Sequence, residues 1–345
     1  MQTGNLLASA EAGSASLPEQ GRKLSESLGS FRCLRLQVEV RARNRVALPP
    51  YRGSTLRGAF GLALLRSACV LRQQKCPTCL LRRKCIYSYT FETPLWGENG
   101  ELRRYAAAPH PFVLTLEVGR EEVHEAGSEF EFAVTLVGRA VDFLPYYVHA
   151  FQRMGETGIG KGRGRFEVLR VLEMDVGDEI AGPVYEGGVL RVPRTVLGLE
   201  DALAVAGELS GDGVTLDLLT PLRLVYGGEL CREPAFHVLV RNLLRRLHNL
   251  TLFHCDDGAP PPDGALIDLA EQVVPDRRDI RWHDWERYSH RQERRMKLGG
   301  LLGKISYRGD LAPFLPLLVL GSWVNLGKNT SFGLGRYRVK GADRK

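Results

Sequence analysis

The chain has 345 residues, long enough for two average domains. Apolar residues at 44% and charged residues at 25% are ordinary globular composition, which excludes a disordered chain and a small disulfide-stapled scaffold. No run of 18 uninterrupted apolar residues occurs, so neither a membrane span nor a membrane partner is expected. The first 30 residues hold Gly, Ser, Glu and Lys without a signal-like apolar run, and read as a disordered tail with a cytoplasmic address.

The first element follows the tail. Leu34, Leu36, Val38 and Val40 alternate with Arg35, Gln37, Glu39 and Arg41, the pattern of a half-buried strand. Gly53-Ser54-Thr55 then offers a helix N-cap, and Leu56, Phe60, Ala63 and Leu64 keep helical spacing over 54–69. After a cysteine-rich insertion, strands are expected at 112–118 and 129–137, a helix at 142–154 and a strand from Arg165 to Leu172. Residues 173–212 read as a linker and hairpin. A strand at 214–225 and a helix at 236–250 follow. Phe236, Leu239, Val240, Leu243, Leu244 and Leu247 form that helix's buried stripe, with Arg241, Arg245 and Arg246 outside. Two extended segments, near 278–289 and 298–308, precede a helix after Phe314 and a last strand.

The chain also repeats itself. A shift of 171 residues lays Gly138, Phe143-Leu144-Pro145, Val148, Gly162, Gly164-Arg165 and Val168 on identical residues from Gly309 to Val339. That is nine identities, where chance gives about two. The fold expected is therefore α+β, a tandem of ferredoxin-like (RRM-like) domains over 31–172 and 213–345. Each has a four-stranded antiparallel sheet and two helices, and the first carries a Cys-rich metal-binding insertion at 69–85.

Three features bear on chemistry. Cys69, Cys76, Cys79 and Cys85 can surround one tetrahedral ion. Structural zinc fits best, and an iron–sulfur cluster or unliganded thiols are the alternatives. Four thiolates would leave no open position, so no catalytic metal is expected. Arg66, Arg72, Lys75, Arg82, Arg83 and Lys84 make the same insertion basic, as a phosphate-backbone contact would be. Two glycine-rich loops, 158–165 with Lys161, Arg163 and Arg165, and 327–336 with Lys328 and Arg336, lie after a helix and before a strand. They are neither a Walker A loop nor a dinucleotide fingerprint, and their interleaved cations favour nucleic acid. The run 277–297 interleaves eight Lys and Arg residues with Trp282, Trp285 and Tyr288, which suits base stacking; its acidic residues suit an ion-paired strand pair equally well. None of the eight histidines precedes residue 110. His110 lies between Pro109 and Pro111, where a turn role is preferred over that of a presented acid or base.

Taken together, Leu48–Gly61 (LPPYRGSTLRGAFG), the cysteine cluster, Phe91–Pro94 (FETP), Pro109–Leu114 (PHPFVL) and Ser331–Tyr337 (SFGLGRY) resemble the CRISPR repeat-RNA processing endoribonucleases, the Cas-six type of the RAMP superfamily. The resemblance implies tandem ferredoxin-like domains, binding of CRISPR repeat RNA and one cut in each repeat. The implied reaction is metal-independent: a 2′-hydroxyl attacks the adjacent phosphate, leaving a 2′,3′-cyclic phosphate and a 5′-hydroxyl. Many members place a histidine near the first helix, and this sequence has none there. The matching region supplies Tyr51 as proton handler, Arg52 as phosphate clamp, Arg57 beside them and Ser54 at an anion-favouring helix start. Ser54, Arg82, Arg83, Lys161, Arg163, Arg165, Lys328 and Arg336 are the expected RNA contacts. The alternative is a non-catalytic guide-RNA-binding subunit of a CRISPR effector (interference) complex.

Overall fold

The computed structural model describes residues 17–72, 75–95, 108–115, 119, 121–209, 211–256, 258–284, 286–289 and 294–341. Strand β1 (Arg32–Ala42) is the centre of the first half. Its alternation works as expected: Leu34, Leu36, Val38 and Val40 are all buried. It pairs antiparallel with β5 (Glu129–Val137) on one side and β6 (Phe166–Met174) on the other, with a register shift at Glu39/Val40. β3 (Phe112–Thr115) extends the sheet beyond β5, and β7 (Ile180–Glu186) and β8 (Val189–Leu190) extend it beyond β6. The short pair β2 (Val46–Leu48) and β4 (Glu122–His124) stands apart from this sheet. Helices α2 (Gly53–Ala68) and α3 (Leu144–Thr157) pack together over the Leu34 face. Phe60 meets Phe112 and Phe151 there at ring distances of 5.4 and 5.2 Å.

The second half follows the same plan. β10 (Gly213–Leu222) lies between β16 (Gly300–Arg308) and β17 (Tyr337–Gly341), and β13 (Val274–His283) lies beyond β16. α5 (Phe236–His254) and α7 (Leu315–Val324) cover it. In both halves the first strand is central, its neighbours are the third and fourth, and the second is at the edge. The two halves thus share one strand order. Two small ribbons, β11 (Val225–Tyr226) with β12 (Glu229–Leu230) and β14 (Glu286–Ser289) with β15 (Arg294–Lys297), lie outside these sheets. The architecture is mixed α+β with antiparallel sheets.

One apolar core crosses between the halves. On the opposite face of the first sheet, Cys33, Val113 and Val137 join the cluster that holds Leu216, Leu243 and Leu318 of the second half. Burial pushes the Cys33 thiol up to about 12. At the seam, Gly138 has φ +60°, and a Cβ there would lie 2.1 Å from the His254 carbonyl oxygen, so only glycine allows this approach.

Several expectations need correction. The tail over 1–30 is not wholly disordered, because Leu17–Leu28 form helix α1. Leu24 and Leu28 are buried in the shared core, worth about 1.5–3 kcal/mol each, and that docking offsets the ordering of a polar helix. Residues 173–212 are more than a linker. β7 and β8 form the expected hairpin, β9 (Val196–Gly198) pairs with the start of β1, and α4 (Leu199–Gly207) packs on α7. The cap of α2 is Arg52, one residue before the expected Gly53-Ser54-Thr55 segment, with no side-chain capping bond. Arg246 does not point outward from α5. Its guanidinium turns in to donate to the Val324 and Asn325 carbonyls at the end of α7, satisfying acceptors that the helix leaves unpaired. In the basic run, Trp282 is held internally, with its indole N–H donating to Asp284 and Arg232 over its ring at 4.7 Å. Residues 1–16, Trp285 and the Tyr288 side chain lie outside the described residues. Among those described, no helix is long and apolar enough to cross a membrane.

Two glycines test this packing in opposite directions. Gly138→Ala is expected to lower stability by about 1–3 kcal/mol, from the left-handed backbone and the His254 overlap. Gly58→Ala, on α2 with nothing within 4 Å of an added methyl, should raise it by about 0.5–1 kcal/mol. Thermal melts of both variants check the pair.

Candidate functional site

The second glycine-rich loop leaves α7 at Asn325 and returns through a short 3-10 turn, Thr330–Phe332. That turn docks on the start of α2. The Tyr51 hydroxyl donates to the Phe332 carbonyl at 2.8 Å, and Tyr51 packs with Leu334 and Phe332. One turn into α2, Arg57 lies over the Phe332 ring at 4.4 Å and the Phe91 ring at 5.3 Å. Its Nε donates to Ser331 Oγ at 3.3 Å, and its Nη2 stands 2.9 Å from His110 Nε2.

His110 stands on the Pro109-His110-Pro111 turn that leads into β3. Its Nδ1 lies 3.2 Å from the Thr90 carbonyl, which only accepts, so Nδ1 carries the proton. Nε2 therefore holds a lone pair and accepts from Arg57. Burial, then the Arg57 charge, lowers the His110 pKa to about 4, so the imidazole is neutral at pH 7. The turn is fixed from the other half: His254, at the end of α5, donates from Nε2 to the Pro109 carbonyl at 2.8 Å. His254 is itself buried, which lowers its pKa to about 4. A neutral base, a guanidinium, a hydroxyl and two aromatic faces thus converge where the halves meet. Such a set can take a proton, bind an anion and stack a base.

The structure brings together Tyr51 and Arg57 from the expected set. It holds Arg52 elsewhere: Arg52 is nearly buried in an ion pair with Glu122 at 2.6 Å, and Glu122 also lies 3.3 Å from His124 Nε2. Arg52 is therefore not an open phosphate clamp. Lys161, Arg163 and Arg165 are exposed on the first glycine-rich loop, which pairs at Lys161 with Ala47 of β2. Lys328 is exposed on the second loop. Arg336 is half-buried, 3.9 Å from Asp178, and lines two clefts of about 260 and 360 Å³. Ser54 is half-exposed near the start of α2. Arg83 is exposed on the cysteine-rich insertion, and Arg82 reaches back to the Pro77 carbonyl at 3.4 Å.

Sequence reasoning put a turn role first for His110 and passed over Ser331 as a partner. The signal was present, since proline on both sides of a histidine gives a stiff presentation; its partner, Arg57, is 53 positions away. The cysteines are neighbours: burial, then Glu92 and the thiols of Cys85, Cys69 and Cys79, raise the Cys76 pKa. Among the described residues, however, no three His, Cys, Asp or Glu side chains are disposed to hold a metal ion.

Comparison with known proteins follows this division. A family model for an N-terminal domain, AF_1859_N, matches residues 31–196. The model of the CRISPR-associated endoribonuclease Cas6 matches residues 216–337. An uncharacterised protein of Archaeoglobus fulgidus is 24% identical over 307 residues, covering 85% of this chain and 93% of its own length. The fold is similar to that of a Cas6 product complex, with TM-score 0.53, 16% identity, and coverage of 89% of this chain and 99% of that one. It is also similar to Thermus thermophilus Cas6, with TM-score 0.51, 15% identity, and coverage of 90% and 99%.

The two neutral histidines make stability depend on pH. Their folded pKa values lie near 4, below the ordinary 6.5, so the unfolded chain binds more protons between these values. Stability is then full above about pH 6.5 and is lost as pH falls toward 4. His254→Gln keeps a donor for Pro109 and removes one titrating group. Thermal melts should show a shallower loss for this variant across that window, and an unchanged slope would exclude a buried neutral His254.

Proposed function

We propose, from a Cas6-type family resemblance seen in both sequence and fold, that this chain is an endoribonuclease that cuts CRISPR precursor RNA within its repeats. The two halves are read as tandem ferredoxin-like domains, and the matching strand orders support this. The observation that carries the catalytic reading is the convergence of Arg57, His110 and Ser331 at the junction of the halves.

In this reading a ribose 2′-hydroxyl gives its proton to His110 Nε2 and attacks the adjacent phosphate. A 2′,3′-cyclic phosphate remains, and the 5′-oxygen leaves with a proton from solvent. Arg57 moves from Nε2 to the phosphate and meets the charge of the phosphorane. That exchange exposes the lone pair only when an anion is bound, and the anion raises the imidazole pKa toward a useful range. Phe91 and Phe332 offer faces to bases. Tyr51 acts through the loop it holds and is a positioning residue. Lys161, Arg163, Arg165, Lys328, Arg82 and Arg83 would contact phosphates along the strand. A second reading, a non-catalytic RNA-holding subunit, is favoured by one observation: Arg57 already occupies His110 Nε2.

One assay separates the two. Synthetic repeat RNA from the neighbouring array is expected to be cut in EDTA and spared by a 2′-deoxy substitution at the cut site. His110→Ala should slow cleavage about 100-fold or more, with RNA binding within a few fold of wild type. Wild-type cleavage by His110→Ala would remove the base assignment. Tight binding by the wild-type chain without any cut would establish the holding subunit.

We also propose that the insertion takes up structural zinc through Cys69, Cys76, Cys79 and Cys85, closing thiols that already lie in one another's field. Metal analysis of the purified protein should find about one zinc per chain. Iron with a brown absorbance, or no metal, would overturn this.

A further inference from the structure

We propose that the cleft between the Pro109 turn and the polar face of α5 is a subsite for one RNA nucleotide flanking the reacting phosphate, held by Arg245 and Asn249. The proposal rests on the endoribonuclease reading above and adds a recognition site to it.

The cleft is half open to solvent, offers about 140 Å³ and is lined by Pro109, Asn242, Arg245, Arg246, Asn249 and Gly327. Two of these join it to the candidate site, since Pro109 precedes His110 and Gly327 begins the second glycine-rich loop. No acidic side chain lines it. The other four share one helix face, because 242, 245, 246 and 249 follow the i, i+3, i+4, i+7 spacing of a single stripe. Such a stripe is normally apolar where a helix meets a neighbouring segment. Here it is amide, guanidinium, guanidinium and amide.

Two of these four groups have structural duties. Arg246 holds the end of α7, and Asn242 Nδ2 donates to the Val238 carbonyl at 2.8 Å. Asn242 Oδ1 accepts from Arg245 Nη2 at 3.1 Å, which orients that guanidinium and leaves its remaining N–H groups without partners among the described residues. Asn249 makes no side-chain hydrogen bond among the described residues, and its Oδ1 is shut away from solvent. A buried amide oxygen without a donor is unfavourable, so turning it out to the cleft, where a ligand donor can reach it, gains that free energy. Turning the amide breaks no internal bond, so either of its ends can face the cleft.

The chemistry then narrows the ligand. Arg245 requires an anion or a carbonyl acceptor, and Asn249 suits a group that both donates and accepts. A nucleotide has both within reach, a phosphate beside a base edge or a ribose hydroxyl. The space takes a part of one such unit, a phosphate or a base edge, and leaves no room for a stacked pair.

The test uses synthetic repeat RNA made uncleavable by a 2′-deoxy substitution, with an abasic site placed in turn at each nucleotide flanking the cut. Arg245→Ala and Asn249→Ala should each weaken binding about tenfold without moving the thermal midpoint. One abasic position should cost the wild type a similar factor and cost Asn249→Ala nothing further. Asn249→Asp, which keeps the shape, should weaken binding at least as much by repelling phosphate. The subsite is excluded if both alanine variants bind like wild type, or if every abasic penalty persists in Asn249→Ala. Failure of the wild type to bind repeat RNA would instead overturn the functional reading, and the subsite with it.

Discussion

The Arg57 guanidinium ties the site together. It is held by Ser331 from the second half, by His110 from the turn before β3, and by the rings of Phe91 and Phe332. These partners are far apart in the chain. They meet because one apolar core runs from the opposite face of the first sheet into the second half, where Cys33, Val113 and Val137 pack with its leucines. Without that core the Thr330–Phe332 turn would have no fixed position over α2, and the Tyr51 hydroxyl would lose the carbonyl it donates to.

A cation beside an imidazole keeps the imidazole neutral, and burial acts in the same direction. The resting arrangement therefore stores a base whose lone pair is covered by the group best suited to bind phosphate. In the proposed function, an arriving polyanion would compete for Arg57 and release His110 in the same step. The same burial makes the pair sensitive to acid, since His110 and His254 both fold in their neutral forms.

Much of the fold was legible in the sequence. The alternation at Leu34–Val40 and the apolar stripe at Phe236–Leu247 are local patterns, and both gave buried faces. The offset between the two glycine-rich segments marked a repeat in the sequence, and the two halves of the structure share one strand order. Helices α1 and α4 were not legible, because α1 is polar and α4 only nine residues long, and both owe their order to a surface elsewhere in the chain. Arg246 was placed outside α5 for the same reason: helical spacing assigns a face, and the carbonyls at the end of α7 that draw the guanidinium inward are contributed from 78 residues away.

The sequence by itself determined the element types, the repeat, the glycines that admit left-handed backbone and the family resemblance. These depend on spacing and on backbone sterics, which act over a few residues. Only the tertiary structure decided which charged groups are used. It paired Arg52 with Glu122, gave Arg57 to His110, and placed beside Pro109 an Asn249 whose side chain has no hydrogen-bond partner among the described residues. The physical reason is that desolvation and hydrogen bonding depend on what surrounds a group in space, and those surroundings come from segments that sequence distance does not connect.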